Sequence, residues 1–203
     1  EGYGPAYTFS RKSSDSYGSL HQTVGAPGKT CGLINSAFRN SDDTSFLHFN
    51  IPANALAVTE LRHIAELLKL KQNEISISEN VDSLEIDSDL IGEIEKLANT
   101  IETAIYKYGI ITDKETKKQY FAYEVDCYGN KFFMEDANFP SLISLPFFEF
   151  LDQNDEIYKN TRKMILSPKN PYYIQGKLGE GVGSTHTNRQ WIWPLFTIMR
   201  GVT

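Results

Sequence analysis

The stretch Asn50-Ile-Pro-Ala-Asn-Ala-Leu-Ala-Val58, continued to Leu70, decides the fold class because it predicts a long helix. Pro52 suits the first turn of a helix, where its missing N–H would have no partner. Beyond it, apolar residues recur at helical spacing: Ala57, Leu61, Ile64, Ala65 and Leu68. We therefore predict a helix over residues 52–70.

Further helix signals follow along the chain. A second helix is predicted to begin at Ser88-Asp89, which are favourable N-cap residues, and to end before Gly109. Others are predicted at 140–151, with Pro140 at the start, at 155–166, and from Trp193-Pro194 to the last residue. The chain is therefore expected to be mainly α-helical.

One β-hairpin interrupts the predicted helices. Residues 120–126 and 131–134 are rich in aromatic and β-branched side chains, and they flank the turn sequence Cys127-Tyr-Gly-Asn130. Glycine, proline, serine and acidic residues predict irregular structure in three stretches, at 1–32, 71–88 and 167–190.

Charge and hydropathy exclude two classes of partner. The 203 residues carry a net charge of −6, so no basic field exists to attract nucleic acid. Apolar runs are only a few residues long, so no membrane-spanning segment is expected. Aromatic residues make up 12% of the chain, which is enough for a packed core.

The two cysteines, Cys31 and Cys127, are too few for a disulfide framework. We expect two buried free thiols, with a disulfide between them as the alternative. The sequence leaves the cellular compartment open.

Polar groups concentrate first in residues 38–46, which contain Arg39, Asp42 and Asp43. Adjacent carboxylates repel, so one of them can stay protonated near neutral pH, as a general acid requires. Arg39 can hold the other one ionised. The alternative is a solvated turn before the first helix.

A second polar segment, residues 123–141, surrounds the hairpin and the helix start that follows. Carboxylates and amides beside aromatic rings suit sugars, because hydroxyls need donors and acceptors while sugar C–H faces stack on rings. Turn and capping roles, or a calcium site without EF-hand spacing, are the alternatives. The polar residues are Glu124, Asp126, Glu135, Asp136 and Asn138.

A third segment, residues 170–194, contains a glycine-rich stretch followed by His186. It does not match a phosphate-binding loop, a zinc-ligand spacing or a serine nucleophile elbow. We interpret it as a loop that delivers His186 to a pocket, with an ordinary surface or core histidine as the alternative.

Taken together in chain order, these segments resemble glycoside hydrolase family 125. Gly32–Asp43 and Ile51–Val58 are similar to the Ser-Asp-Asp and Ile-Pro-x-Asn blocks of that family. Later blocks agree in order: Tyr123–Asp126, Glu135–Pro146, Asn160–Arg162, Asn170–Tyr173, Gly183–Thr187 and Ile192–Pro194. Two positions differ from the usual pattern, since Asn40 stands where proline is commoner and Cys127 where glycine is usual.

The resemblance implies an exo-acting α-mannosidase that prefers α-1,6 linkages, inverts the anomeric centre and uses no metal or other cofactor. It implies a fold that is part of an (α/α)6 toroid, with the β-hairpin as a small insertion. Residues 1–203 would then be a partial catalytic domain, truncated at both ends. The expected partners are α-mannoside oligosaccharides or glycans.

The resemblance also suggests residue roles. The catalytic acid is expected to be Asp42 or Asp43, and the base a glutamate in a His-Glu-Ser-Phe-like stretch that these residues do not contain. Inactivity of the 203 residues alone is therefore expected. Candidate substrate-binding residues are Arg39, Ser41, Glu135, Asp136, Asn138 and His186.

Two other functions remain open from the sequence. One is a non-catalytic carbohydrate-binding fragment, and the other is a toroidal glycosidase that acts on a different sugar, because helical toroids host many substrates.

Overall fold

The computed structural model describes residues 8–10, 19–20, 24–77, 87–185 and 191–203. Within these ranges the chain forms four helices and several short strands, which confirms the mainly α-helical class with a small hairpin. In chain order they are β1 (Phe49–Asn50), α1 (Ile51–Ile77), α2 (Ser88–Tyr108), β2 (Ile110–Thr112), β3 (Gln119–Phe121), β4 (Glu124–Val125), β5 (Lys131–Phe132), α3 (Glu156–Ile165), β6 (Tyr173–Gln175), β7 (Glu180–Val182) and α4 (Pro194–Val202).

Helices α1 and α2 form an antiparallel hairpin. Their facing sides bury small and branched apolar side chains, which allow the backbones to approach closely: Ala55, Val58, Ala65, Ala98, Ile101 and Ile105. Two ion pairs cross the outer side, Arg62–Glu102 at 2.6 Å and Lys69–Glu95 at 2.5 Å. These exposed pairs add little stability, and burial of the apolar stripe holds the hairpin together.

The helix ends follow the capping residues that the sequence contains. The Asn50 side chain accepts the N–H of Ala53 at 2.9 Å, directly beside the predicted proline start of α1. Asp87 caps α2 by accepting the N–H of Asp89 at 2.8 Å, and Gly109 closes it. The predicted helices at 52–70, 88–108 and 155–166 and the helix opening at Trp193-Pro194 are confirmed.

The strands are short and antiparallel. β4 pairs with β5 as the predicted hairpin, with Glu124 opposite Phe132, and β1 adds to the other edge of β4. β3 pairs with β2 instead of joining that hairpin. The three-stranded sheet therefore connects the start of α1 with the hairpin, and this connection positions the polar segments described below.

The helix predicted at 140–151 is wrong, because this segment forms a series of turns. Pro146 has no N–H, so it cannot make the helical bond to the carbonyl of Leu142. The side-chain hydroxyl of Ser144 also accepts a hydrogen bond from the N–H of Ser141 at 2.9 Å. Hydroxyl side chains that bond nearby backbone groups in this way compete with helix formation.

The predicted irregular segments are partly wrong. Helix α1 continues to Ile77, so residues 71–77 are helical, and residues 78–86 lie outside the described ranges. Within 167–190, β6 pairs with β7, with Ile174 opposite Gly181. The described parts of residues 1–32 contain no helix or strand, as expected. No helix in the described part of the chain is long and apolar enough to cross a membrane.

The expectation of two free thiols is also wrong, because Cys31 and Cys127 form a disulfide. The N–H of Lys29 donates to the carbonyl of Asp126 at 2.9 Å, which brings the segment before α1 beside the hairpin turn. The two Cα atoms then lie 6.3 Å apart, within the range that a disulfide spans. The residues are 96 positions apart, so sequence spacing gave no sign of this contact.

We predict that removing this disulfide destabilises the protein. A crosslink across a long loop restricts the unfolded chain and is worth about 2–4 kcal/mol. The double variant C31A/C127A should therefore unfold at lower urea concentration than the wild type. Reductant should lower the wild-type midpoint and leave that of the double variant unchanged. Equal midpoints for the oxidised and reduced wild type would contradict the prediction.

Candidate functional site

The loop that carries the two candidate acids is a tight turn over residues 36–45, called here the Asp43 loop. The N–H of Arg39 donates to the carbonyl of Asp43 at 2.7 Å, and the N–H of Asp42 donates to the carbonyl of Arg39 at 3.0 Å. Asp42 has φ of 66°, a left-handed conformation that aspartate tolerates better than most residues. The turn leaves the Asp42 side chain exposed and buries Asp43.

The buried Asp43 carboxylate contacts two hydroxyl groups. Ser41 Oγ donates to Asp43 Oδ2 at 3.2 Å, and Thr185 Oγ1 donates to the same oxygen. Thr185 comes from the segment after β7, 142 residues further along the chain. The structure therefore brings together the first and third of the polar segments identified in the sequence.

Arg39 does not orient either aspartate through its side chain, contrary to the expectation from the sequence. Its guanidinium forms a buried, two-pronged ion pair with Glu124, at 2.5 and 3.1 Å. It also lies over the Phe46 ring, 4.5 Å from the centroid. The guanidinium Nη1 is buried without a hydrogen-bond partner among the described residues. Arg39 thus joins the Asp43 loop to β4.

Asp136 lies on the other side of the cluster, in the segment after β5. Its Oδ1 accepts the side-chain amide of Asn138 at 2.7 Å, the N–H of the same residue at 3.2 Å and Ser184 Oγ at 3.2 Å. Its Oδ2 is buried without a hydrogen-bond partner among the described residues. Three donors on one oxygen fix the orientation of this carboxylate.

Consecutive residues connect these two carboxylates. Ser184 contacts Asp136, and Thr185 contacts Asp43. His186, the candidate that the sequence predicted in this glycine-rich segment, lies outside the described residues. Ser184 and Thr185 were not predicted, and their one signal in the sequence was their place between a glycine and that histidine. The predicted residues Ser41, Asp43, Asp136 and Asn138 therefore lie in one cluster.

Glu135 is buried beside this cluster and has a structural set of partners. Its carboxylate accepts the N–H groups of Leu142 and Ile143, at 2.9 and 3.0 Å. The pKa of Glu135 is raised to about 8, mainly by burial and also by the adjacent Asp136, although the two backbone N–H groups act in the opposite direction. Glu135 therefore shapes the turn that follows the cluster.

Tyr123 completes the electrostatic surroundings. It is buried, and burial raises its pKa well above the ordinary value, with Asp136 and Glu135 adding to the shift. Its ring centroid lies 5.7 Å from the Arg39 guanidinium carbon. The charged groups near Tyr123 are thus buried, and electrostatic interactions there are stronger than in water.

No group of three or more histidine, cysteine, aspartate or glutamate side chains in the described ranges could hold a metal ion. Asp126, considered for calcium, instead organises the hairpin turn. Its carboxylate accepts the N–H groups of Tyr128 and Asn130 and the side-chain amide of Asn130, at 2.6–3.0 Å.

Two open clefts lie apart from the cluster. One, of about 630 Å³, runs along α2, and the other, of about 500 Å³, lies between β3 and α3. Neither is lined by a residue of the carboxylate cluster. The case for a sugar site therefore rests on the carboxylates and their partners.

This combination, a helical scaffold with buried carboxylates held by amides and hydroxyls, is the kind of site that carbohydrate-active enzymes use. The family of metal-independent α-mannosidases, glycoside hydrolase family 125, matches residues 2–203. The chain belongs to this family.

Two relatives show how much of a family member the chain represents. The meiotically up-regulated gene 157 protein of Schizosaccharomyces pombe is 39% identical over 206 residues, which cover 98% of this chain and 37% of that protein. A Streptococcus pneumoniae metal-independent α-mannosidase, solved in a non-productive complex with α-1,6-mannobiose, is 32% identical with a TM-score of 0.84. That match covers 98% of this chain and 44% of the other. The chain thus spans less than half the length of these relatives.

The buried Glu135 leads to a prediction about pH. The pKa of Glu135 is about 8 in the folded state, whereas its ordinary value is 4.5. Between these two pH values Glu135 is protonated in the folded protein and ionised in the unfolded chain, so folding takes up a proton. The contribution of Glu135 to the free energy of unfolding is therefore complete below pH 4.5 and is lost as the pH rises through 8.

The E135Q variant should lose this part of the pH dependence. Urea unfolding at intervals from pH 5 to 8 should give a shallower fall in stability for E135Q than for the wild type. The exposed Glu149→Gln variant serves as the control and should follow the wild type. Parallel pH profiles for all three proteins would contradict the prediction.

Proposed function

We propose that the protein to which this chain belongs hydrolyses terminal α-1,6-linked mannose from glycans, with inversion at the anomeric carbon. Membership of the α-mannosidase family gives the sugar class. The S. pneumoniae relative was solved with α-1,6-mannobiose and is described in connection with the processing of N-linked glycans. The observation that carries the proposal is the cluster in which Asp43 and Asp136 meet through Ser184 and Thr185.

An inverting glycosidase uses one protonated carboxyl group and one carboxylate. The acid protonates the leaving oxygen, and the base activates a water molecule on the opposite face of the sugar, with about 6.5–9.5 Å between the two groups. We propose Asp43 as the acid in preference to Asp42, because Asp43 is buried in the cluster whereas Asp42 is exposed. The base is proposed to be a glutamate beyond these 203 residues.

Asp136 is the competing candidate for the acid. Its Oδ1 is fully engaged by three donors, whereas its buried Oδ2 has no hydrogen-bond partner among the described residues. With Asp43 as the acid, Asp136 binds a substrate hydroxyl together with Asn138. The remaining predicted contacts, Arg39 and Glu135, then support the site from behind through their buried partners.

Asparagine variants of the complete enzyme test the acid. D43N should lower kcat for α-1,6-mannobiose about 10²- to 10⁴-fold, the usual worth of general acid catalysis. It should lose far less with 2,4-dinitrophenyl α-mannoside, because that leaving group needs no proton. D42N should stay near the wild type with both substrates, since its side chain is exposed. Proton NMR of the wild-type reaction should show β-mannose first.

The other outcomes are equally informative. A substrate-dependent loss in D136N but not in D43N would transfer the role of acid to Asp136. Full activity in both would remove the cluster from the chemistry. Hydrolysis of isomaltose as fast as of mannobiose, or release of α-mannose first, would contradict the proposed substrate or stereochemistry.

We further propose that residues 1–203 form part of an (α/α)6 toroid, in which neighbouring helical hairpins pack side by side. The α1–α2 hairpin carries exposed apolar side chains, namely Ile64, Leu67, Leu70, Leu90 and Leu97. The two ion pairs that cross the hairpin place Leu67 level with Leu97. A toroid would cover such side chains with the next hairpin.

The L67D variant of the complete protein tests this arrangement. If a neighbouring hairpin covers Leu67, a buried aspartate there should cost more than about 2 kcal/mol and lower Tm by several degrees. Leu178, fully exposed in the turn between β6 and β7, supplies the control, and L178D should leave Tm unchanged. Equal Tm values for the two variants would mean that the hairpin face is open to solvent.

A further inference from the structure

Ser184 and Thr185 follow directly from a strand that is held in place on both sides. β7 pairs with β6, and the N–H of Gly183 donates to the carbonyl of Tyr172 at 3.0 Å. The N–H of Trp193 donates to the carbonyl of Val182 at 2.9 Å, from the other side. A side chain at Gly181 would place its Cβ 2.5 Å from Ile192, so this packing is close. The two hydroxyl residues therefore start from a fixed backbone.

The hydrogen-bonding capacity of Ser184 fixes the direction of its bonds. The side-chain amide of Asn138 donates to Ser184 Oγ at 2.9 Å, which uses an oxygen lone pair. The single O–H of Ser184 donates to Asp136 Oδ1, 3.2 Å away. Ser184 is buried, so this arrangement is shielded from competing water.

Thr185 acts in the same way on the other carboxylate. Its hydroxyl and that of Ser41 both donate to Asp43 Oδ2. Two hydroxyl donors on one oxygen hold the Asp43 carboxyl group in a defined orientation. The three donors on Oδ1 hold the Asp136 carboxyl group in the same way.

We propose that Ser184 and Thr185 are positioning residues for the hydrolysis reaction, which fix the orientation of Asp136 and Asp43. This inference rests on the proposed function. Because the two residues are neighbours, a single backbone segment sets both carboxylates. Neutral hydroxyl donors suit this task, since they orient a carboxyl group in either protonation state, whereas a cation would hold it ionised.

The test compares Thr185→Val, Thr185→Ser and Ser184→Ala in the complete enzyme. T185V keeps the shape of the side chain and removes the hydroxyl, and we expect kcat for α-1,6-mannobiose to fall about 10- to 100-fold, as for a misplaced catalytic group. KM should change less than about threefold. The alkaline limb of the pH–kcat profile should move to higher pH, because the charged form of Asp43 loses a hydrogen bond. T185S keeps the hydroxyl group, so its kcat and its pH–kcat profile should be close to those of the wild type.

Thr116 provides a matched control. Its hydroxyl donates to an aspartate carboxylate, Asp113, at 3.0 Å, but in the exposed turn between β2 and β3. T116V therefore removes the same kind of bond away from the cluster. It should leave kcat, KM and the pH profile unchanged. If T185V behaved like T116V, Thr185 would be a packing residue and the proposal would be wrong.

Ser184→Ala tests the second contact separately. The variant removes the donor to Asp136 Oδ1 and leaves the two bonds from Asn138. We expect a lower kcat with Tm close to the wild type. A loss of Tm with unchanged kcat would show that Ser184 only stabilises the fold, and would remove it from the proposal.

A measurement that needs no turnover separates this inference from the proposed function. Carboxyl ¹³C NMR of aspartate-labelled protein, with D43N used to assign the signal, follows the titration of Asp43 directly. The midpoint should be higher in T185V than in the wild type and unchanged in T116V. A wild type inactive on every mannoside would overturn the function even with this shift, whereas an active wild type with no shift in T185V would overturn the positioning role alone.

Discussion

The ion pair between Arg39 and Glu124 is the interaction on which the site depends. Its members come from the turn before α1 and from the central strand of the three-stranded sheet, 85 residues apart, and both side chains are completely buried. Glu124 also accepts the N–H groups of Phe46 and Leu47, at 2.9 and 3.1 Å. Burial of an ion pair costs desolvation, which is offset here because the carboxylate is saturated with donors. Breaking it would leave an uncompensated charge in the core, which is why the Asp43 loop has one position on the sheet.

A second set of bonds fixes the segment on the other side of that loop. Asn54, in the first turns of α1, accepts the N–H of Ile34 at 2.7 Å and donates to the carbonyl of the same residue at 3.0 Å. Its amide also donates to the carbonyl of Asn50 at 2.8 Å. The loop is therefore held at its start by a helix and at its centre by a strand. Asp43 therefore has a defined place relative to both α1 and the sheet.

The sequence predicted elements whose stability is local. The helices follow from apolar periodicity and caps such as Asp87 and Gly109, and these signals act within one or two turns. The segment 140–151 contains two local signals against a helix, Pro146 and the Ser144 hydroxyl, but the partner of two of its backbone N–H groups, the Glu135 carboxylate, lies outside it. The disulfide was missed for a similar reason, since a single hydrogen bond from Lys29 aligns two cysteines 96 positions apart. Long-range contacts have no local pattern that could reveal them.

The same distinction holds for the site. Residue type and order pointed to Asp42 or Asp43 and to Asp136 and Asn138, because family-like blocks surround them, but the partner of each side chain was not predictable. Arg39 is close to the aspartates in sequence and nevertheless pairs with a distant glutamate.

The buried carboxylates differ in the groups that contact them. Glu124 pairs with the Arg39 guanidinium and accepts two backbone N–H groups, which gives it a structural role. Hydroxyl groups contact Asp43, and a hydroxyl group, an amide side chain and a backbone N–H contact Asp136. Each of these donors is neutral and can orient a carboxyl group without a charge of its own. The charged contact in this region is instead the buried ion pair of Arg39 with Glu124, which fixes the Asp43 loop on the sheet and leaves Asp43 to the reaction that we propose for it.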